Sequence, residues 1–191
     1  IKSISGIRGT IGGNPGENLT PLDIVKFTAA FAASLPPAAA GKTVVIGRDG
    51  RMSGKMVSGL CAGTLMACGY HVTDLGLTTT PTVEIAVTAE GAAGGIILTA
   101  SHNPQEWNAL KLLNHKGEFI SAEAGEKVLA IAAKEAFAFA PADKTGTYTE
   151  DHSYLQKHID AVLAYDLVDA EAIRKAKFSV VVDPINSSGA M

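Results

Sequence analysis

Short apolar runs bounded by turn residues alternate with stretches of helical apolar spacing along this chain. Residues 43–47 (TVVIG), 70–75 (YHVTDL) and 96–98 (IIL) read as buried strands. Between them lie segments with apolar positions three and four apart, the period of a helix with one buried face. The first helix is predicted to start at Thr20, an N-cap, with Pro21 at its first position. Ile24, Phe27, Ala30 and Phe31 share its inner face, and it ends before Pro36-Pro37, with an alanine-rich connector over 38–41. A second helix is predicted over 53–69, with Met56, Leu60, Gly63, Thr64 and Ala67 inward. A third, over 82–90, follows Thr78-Thr79-Thr80-Pro81 and stops at Gly91. Strands that alternate with helices across 43–98 predict βαβ units, hence a mostly parallel sheet covered on both faces.

Beyond that region the pattern loosens. Residues 109–113 predict a short strand, and the turn at 114–117 suggests an antiparallel, hairpin-like edge. Helices are predicted over 121–136, 151–164 and 169–176, with an irregular crossing over 137–149. At the N-terminal end, residues 4–13 (ISGIRGTIGG) form a β-like segment cut by glycines. At the other end, residues 178–183 (FSVVVD) predict a new buried strand, followed by a loop at 184–189 of the kind that opens a helix. No helix follows within the chain. A strand without its crossover partner buries its apolar side poorly, so the expectation is a fragment: a first domain over 1–176 and the opening of a second over 177–191.

Composition narrows the class. With 47% hydrophobic and 18% charged residues in 191, the chain is globular. A net charge of -3 and a pI near 5.9 argue against a nucleic-acid partner. No apolar run has membrane length, so no membrane partner is expected. Cys61 and Cys68, seven apart on one predicted helix, are roughly 10 Å apart along its axis, too far for a disulfide. Two reduced, buried thiols suit a cytoplasmic protein. His71 stands alone without ligand-spaced partners and reads as structural.

The candidate chemistry lies where strands end. After Leu98, Thr99-Ala100-Ser101-His102-Asn103-Pro104 is small, polar and turn-forming, and it delivers the Ser101 hydroxyl to the carboxyl edge of the sheet. Open α/β sheets bind ligands at that edge. The loop Gly47-Arg48-Asp49-Gly50-Arg51 ends a neighbouring strand. Its arginines suit bidentate phosphate contact, or an Asp49 pairing that stiffens the turn. Arg8 projects from the glycine-flanked neck of SGIRG. His102 is not a base for Ser101 by adjacency, since neighbours in an extended segment point apart. It would touch a phosphate or order the loop, and Asn103 and Pro104 would set the loop's shape.

GIILTASHNP, residues 94–104 less one glycine, resembles the phosphoserine signature of the α-D-phosphohexomutases. SGIRG and the GRD-x-R loop resemble two further motifs of that family, and the V-V-D-x-x-N-x-x-G run near the end resembles the start of its second domain. The resemblance covers the whole chain. It implies a three-layer α/β/α fold with a mixed, mostly parallel sheet. It also implies an isomerase, an intramolecular phosphotransferase of the phosphoglucomutase/phosphomannomutase kind. Hexose 1-phosphate and 6-phosphate would interconvert through phosphorylated Ser101 and a hexose 1,6-bisphosphate. Lys111, ten residues on, matches a cleft lysine of the family implicated in substrate contact and proton transfer. Arg8 matches its cleft arginine, and Arg48 and Arg51 those framing the phosphoserine. The family shows Asn-Gly-x-Lys where this chain has Asn108-Ala109-Leu110-Lys111, which questions a positive-φ turn there. Mg²⁺ would meet the phosphate on Ser101, with carboxylates from a DGDxDR loop absent from these residues. The fragment alone is therefore expected to be inactive.

Three rivals follow. Phosphoglucosamine mutase is one, though Ser5 leans away from it. A serine hydrolase lacks G-x-S-x-G, with Thr99 and Asn103 in place of the glycines. The third is a phosphate-binding α/β module without catalysis.

Overall fold

A computed structural model describes residues 2–3, 6–36 and 42–190. Ser5, Pro37 and the 38–41 connector lie outside the described residues. One seven-stranded sheet forms the middle layer. Its strands are β1 (Lys2–Ser3), β2 (Gly6–Thr10), β3 (Thr43–Arg48), β4 (His71–Leu77), β5 (Gly94–Leu98), β6 (Trp107–Leu113) and β7 (Tyr148–Glu150). The order across the sheet is β1-β2-β6-β5-β3-β4-β7. β3 pairs in parallel with β4 and β5, and β4 with β7, whereas β6 is antiparallel to both β5 and β2, and β1 to β2. Five strands, β2, β3, β4, β5 and β7, therefore run one way.

Side-chain parity sorts the helices into two outer layers. Val44, Ile46, Val72, Ile96, Leu98, Leu110, Leu112 and Ile7 point to one face. There they meet Phe27 and Phe31 of α1 (Pro21–Ser34), Val57, Cys61 and Leu65 of α2 (Gly54–Ala67), and Val128 of α4 (Ala122–Lys134). Val45, Leu75, Ile97 and Leu113 point to the other face. Val83, Ala86 and Val87 of α3 (Thr80–Ala89) cover them, with Tyr154 of α5 (Tyr154–Leu163). A sixth helix, α6 (Ala170–Ala176), ends the regular structure. Thr20 and Asp23 cap α1 reciprocally, as a capping box does.

Four expectations need correction. The inner face of α2 is Val57, Ser58, Cys61, Ala62, Thr64 and Leu65. Met56 and Gly63 are exposed, because the β-branched and aliphatic Val57 and Leu65 set the phase of the helix and the small residues only follow it. β6 is no edge: β2 pairs along its far side. The supposed crossing at 137–149 contains β7, which extends the parallel sheet beyond β4. His71 helps seat it, since Thr147 N–H donates to His71 Nδ1 at 3.2 Å. Finally, residues 178–183 form no strand, and Phe178, Val180, Val181 and Val182 stand 72–97% exposed. An apolar run needs a neighbour to pair with, and no strand lies beside this one among the described residues. Cys61 is buried as expected and Cys68 half-buried, both as free thiols. No helix among the described residues is long and apolar enough to cross a membrane.

Candidate active site

β5 is buried throughout, and the chain leaves it at Leu98 with the ladder still holding, since Thr99 N–H donates to Ala109 O at 3.3 Å. Ser101 then takes φ +54°, a left-handed conformation that costs a non-glycine residue roughly 1–2 kcal/mol. Local bonds oppose that cost. Ser101 N–H donates to Thr99 Oγ1 at 3.2 Å, and Asn103 N–H to Ala100 O at 3.0 Å. The loop is thus a tight turn that leaves Ser101 exposed.

Arg51 holds this turn from outside. Its Nη1 donates to Pro104 O at 2.7 Å and Trp107 O at 2.9 Å, and its Nη2 to Ser101 O at 2.9 Å and Asn103 O at 2.8 Å. Its Nε donates to Asp49 Oδ2 at 3.3 Å. A guanidinium has five N–H donors, and all five are engaged. Asp49 closes the network: the same Oδ2 accepts from Thr99 Oγ1 at 2.6 Å, and Oδ1 from Arg51 N–H at 3.0 Å. Arg51 therefore has no donor left for a phosphate, which corrects the expectation that it binds one. Of the two roles open to it, the structure has the one that stiffens the loop.

Arg48 is not brought to Ser101 either. It follows Ile46 by two residues on β3, so its side chain shares the α2 face of the sheet. There it borders a separate hollow of about 830 Å³ between α2 and β4/β7, together with Lys55, Asp74, Tyr148 and His152. In that hollow Asp74 accepts from Ser58 Oγ at 3.0 Å and from Tyr148 OH at 2.9 Å, and the carboxylate beside it pushes the Tyr148 phenol, already raised by desolvation, further upward.

Arg8 and Lys111 do line a hollow with Ser101. In β2, Arg8 is opposite Ala109 of β6, and Lys111 lies two residues further along β6. Opposed and alternate residues share a face, so Arg8, Ala109 and Lys111 all point to the α3 side. α3 packs mainly over β3 and β5, and a hollow of about 150 Å³ lies on that side at the β2–β6 end. Gly6, Arg8, Ser101, Asn103, Lys111 and His102 are among the residues that line it. Gly6 sits at φ +132°, and a Cβ there would lie 2.2 Å from Leu110 O, so only glycine lets β2 close on β6. Ala109 is an ordinary buried strand residue, and its position requires no positive φ.

His102 differs from expectation. The turn is not extended, and it brings Ser101 Oγ and His102 Nδ1 to 3.5 Å. That is the outer limit of a hydrogen bond. Among the described residues no carboxylate is bonded to His102, so a serine-hydrolase triad lacks its orienting member. Sequence reading gave Thr99 and Gly6 no particular partner in the fold. Thr99 and Gly6 stand inside the motifs already singled out, and only strand pairing shows what they touch.

No group of three or more His, Cys, Asp or Glu among the described residues is placed to hold a metal ion. Asp49, the carboxylate tied to this loop, has both oxygens engaged.

Comparison with known proteins agrees with this fold. The family model described as "Phosphoglucomutase/phosphomannomutase, alpha/beta/alpha domain I" matches residues 2–139. A phosphoglucomutase/phosphomannomutase of Thermococcus kodakarensis is 34% identical over 96% of this chain and 40% of its own length. A phosphoglucosamine/phosphogalactosamine mutase of Sulfurisphaera tokodaii is 30% identical over 97% of this chain and 39% of its own. The crystal structure of a phosphoglucomutase/phosphomannomutase family protein from Burkholderia thailandensis superposes with a TM-score of 0.70 at 25% identity, covering 84% of this chain and 34% of that one. The chain thus spans about 40% of the curated relatives it matches. With the α/β/α layers and the matched span in agreement, the chain belongs to the phosphoglucomutase/phosphomannomutase family and carries its domain I.

Proposed function

We propose that Ser101 is the phosphoryl carrier of a phosphohexomutase, and that this chain acts as part of a longer one. The observation that carries the reading is the exposed Ser101 hydroxyl in one small hollow with Arg8 and Lys111, on a turn that Arg51 fixes. Phosphoryl transfer asks for a carrier oxygen, neutralised charge and in-line positioning. In the proposed step the bond between Ser101 Oγ and phosphorus breaks as a sugar hydroxyl oxygen bonds to phosphorus. The sugar hydroxyl loses its proton, and Ser101 Oγ takes one up. The hexose monophosphate becomes a 1,6-bisphosphate, and its other phosphate returns to Ser101. Arg8 and Lys111 hold the transferring group, Lys111 sits where it can exchange the proton, and His102 and Asn103 border the phosphate.

Mg²⁺, when bound, would neutralise phosphoryl oxygens. In this chain it would meet only the phosphate on Ser101, and its carboxylate ligands would come from outside these residues. Residues 177–191 would open the second domain, and the exposed apolar run at 178–183 supports that division. Free thiols at Cys61 and Cys68 suit a cytoplasmic setting. The relatives act under names covering both hexose and hexosamine phosphates, so phosphoglucosamine is the second substrate to test.

The test is a pulse and chase. The longer chain is incubated with Mg²⁺ and glucose, mannose or glucosamine 1,6-bisphosphate, and intact mass is recorded. The expected result is a gain of one phosphoryl group, lost again to added hexose 6-phosphate. Failure of the longer chain to label with any donor would refute the carrier role, and steady mutase turnover by these 191 residues alone would refute their dependence on further domains.

A further inference from the structure

Resting on the reading above, we propose that Phe119 is a positioning residue that holds the Lys111 ammonium at the Ser101 hollow through its ring face. Lys111 Nζ lies 5.9 Å from the centroid of the Phe119 ring, within the reach of a cation–π contact. No carboxylate among the described residues is within ion-pair distance of Lys111. The kind of partner matters. A carboxylate would neutralise the lysine and occupy its donors. A ring attracts the cation and leaves three N–H donors and the full charge for an incoming anion.

Phe119 is built into place. Its backbone pairs with Leu113 in an antiparallel bridge, and Ile120 N–H donates to Leu112 O at 3.0 Å. Directly opposed residues share a face, so the ring stands beside Lys111, two residues before Leu113 on the same strand. The connecting turn is locked by Asn114, whose Oδ1 accepts from Lys116 N–H at 2.8 Å and Glu118 N–H at 3.1 Å. Gly117, at φ +75°, seats that turn against α3, where a Cβ would lie 2.4 Å from Glu84 O. Phe119 is 42% exposed and is not part of either buried cluster, so the core gives no reason for a large apolar ring here.

The test uses the whole 191-residue chain, with inorganic phosphate as the probe and NMR as the readout. In the wild type the Lys111 ε-methylene protons are expected to resonate upfield, shifted by the ring. Phe119→Leu should abolish that shift and weaken phosphate binding about threefold, the size of one partly exposed cation–π contact. Phe119→Trp should restore both, which a role in packing alone would not predict. In a Lys111→Met background, Phe119→Leu should change phosphate binding no further. Backbone amide shifts of β6 report whether each variant keeps its fold. If Phe119→Leu binds phosphate like the wild type while Lys111→Met has lost binding, the role of Phe119 is overturned and the site stands. If Lys111→Met itself binds phosphate like the wild type, the proposed site is refuted.

Discussion

Replacing Arg51 by Met tests how the serine turn is held. The side chain is 11% exposed and makes four bonds to loop carbonyls and one to Asp49. A typical bond contributes about 1 kcal/mol net, and more when one partner is charged. Two of the four carbonyls, on Ser101 and Pro104, are exposed and would be rehydrated on loss of the arginine, so their share is small. Those on Trp107 and Asn103 are partly buried, and with the ion pair to Asp49 also lost, though Asp49 keeps Thr99 and a backbone N–H, the expected loss is about 3 kcal/mol. For a chain of this length that is a fall in Tm of roughly 6–12 °C. The clamp thus exceeds the roughly 1–2 kcal/mol left-handed cost at Ser101, and the turn should relax without it. Urea unfolding followed by circular dichroism gives the first quantity, and hydrogen exchange at residues 99–104 the second. Arg51→Lys, which keeps the charge and loses the fork, should recover less than half of the loss. An Arg51→Met protein with wild-type stability and unchanged protection in the loop would refute the clamp.

Gly6→Ala should separate β2 from β6 and weaken phosphate binding at least as much as Arg8→Met, because the new Cβ meets Leu110 O; an amide spectrum with β2–β6 pairing intact would contradict this. Burial pushes the Cys61 thiol up to about 12 from 9.0, so the folded state holds a proton that the unfolded chain releases. Its contribution is full below pH 9 and lost between 9 and 12, at up to about 1.4 kcal/mol per pH unit. Cys61→Ala should flatten that part of a stability–pH curve. Cys68, half-buried, should react with a thiol reagent in the folded protein while Cys61 does not. Tyr148→Phe should destabilise by about 1 kcal/mol, since Asp74 keeps two of its three donors, Ser58 and the Gly76 N–H, and thermal unfolding will show it.

The parallel half of the fold was legible because buried strands such as residues 43–47 and 96–98 write their burial as unbroken apolar runs. β7 was not, since Tyr148-Thr149-Glu150 is a three-residue, exposed edge strand whose only signal is its pairing with β4. The phase of α2 was misread because glycine and alanine carry little hydrophobic signal, and Val57 with Leu65 decided it. At the site, motif and spacing point to Ser101, Arg8 and Lys111, and these line one hollow. The separate fates of Arg48 and Arg51 were not legible. One residue of parity sends Arg48 to the α2 face, and only the three-dimensional loop supplies the four carbonyls that Arg51 binds. The nearness of His102 to Ser101 follows from one left-handed residue, which sequence alone gives no reason to place on a serine.

Phosphopeptide mapping of the longer chain after incubation with Mg²⁺ and glucose 1,6-bisphosphate addresses the carrier hydroxyl directly. The phosphoryl group should be found on Ser101, should be absent from Ser101→Ala, and should be reduced in Arg8→Met and Lys111→Met. A phosphoryl group on another residue, or labelling that survives Ser101→Ala unchanged, would contradict the assignment.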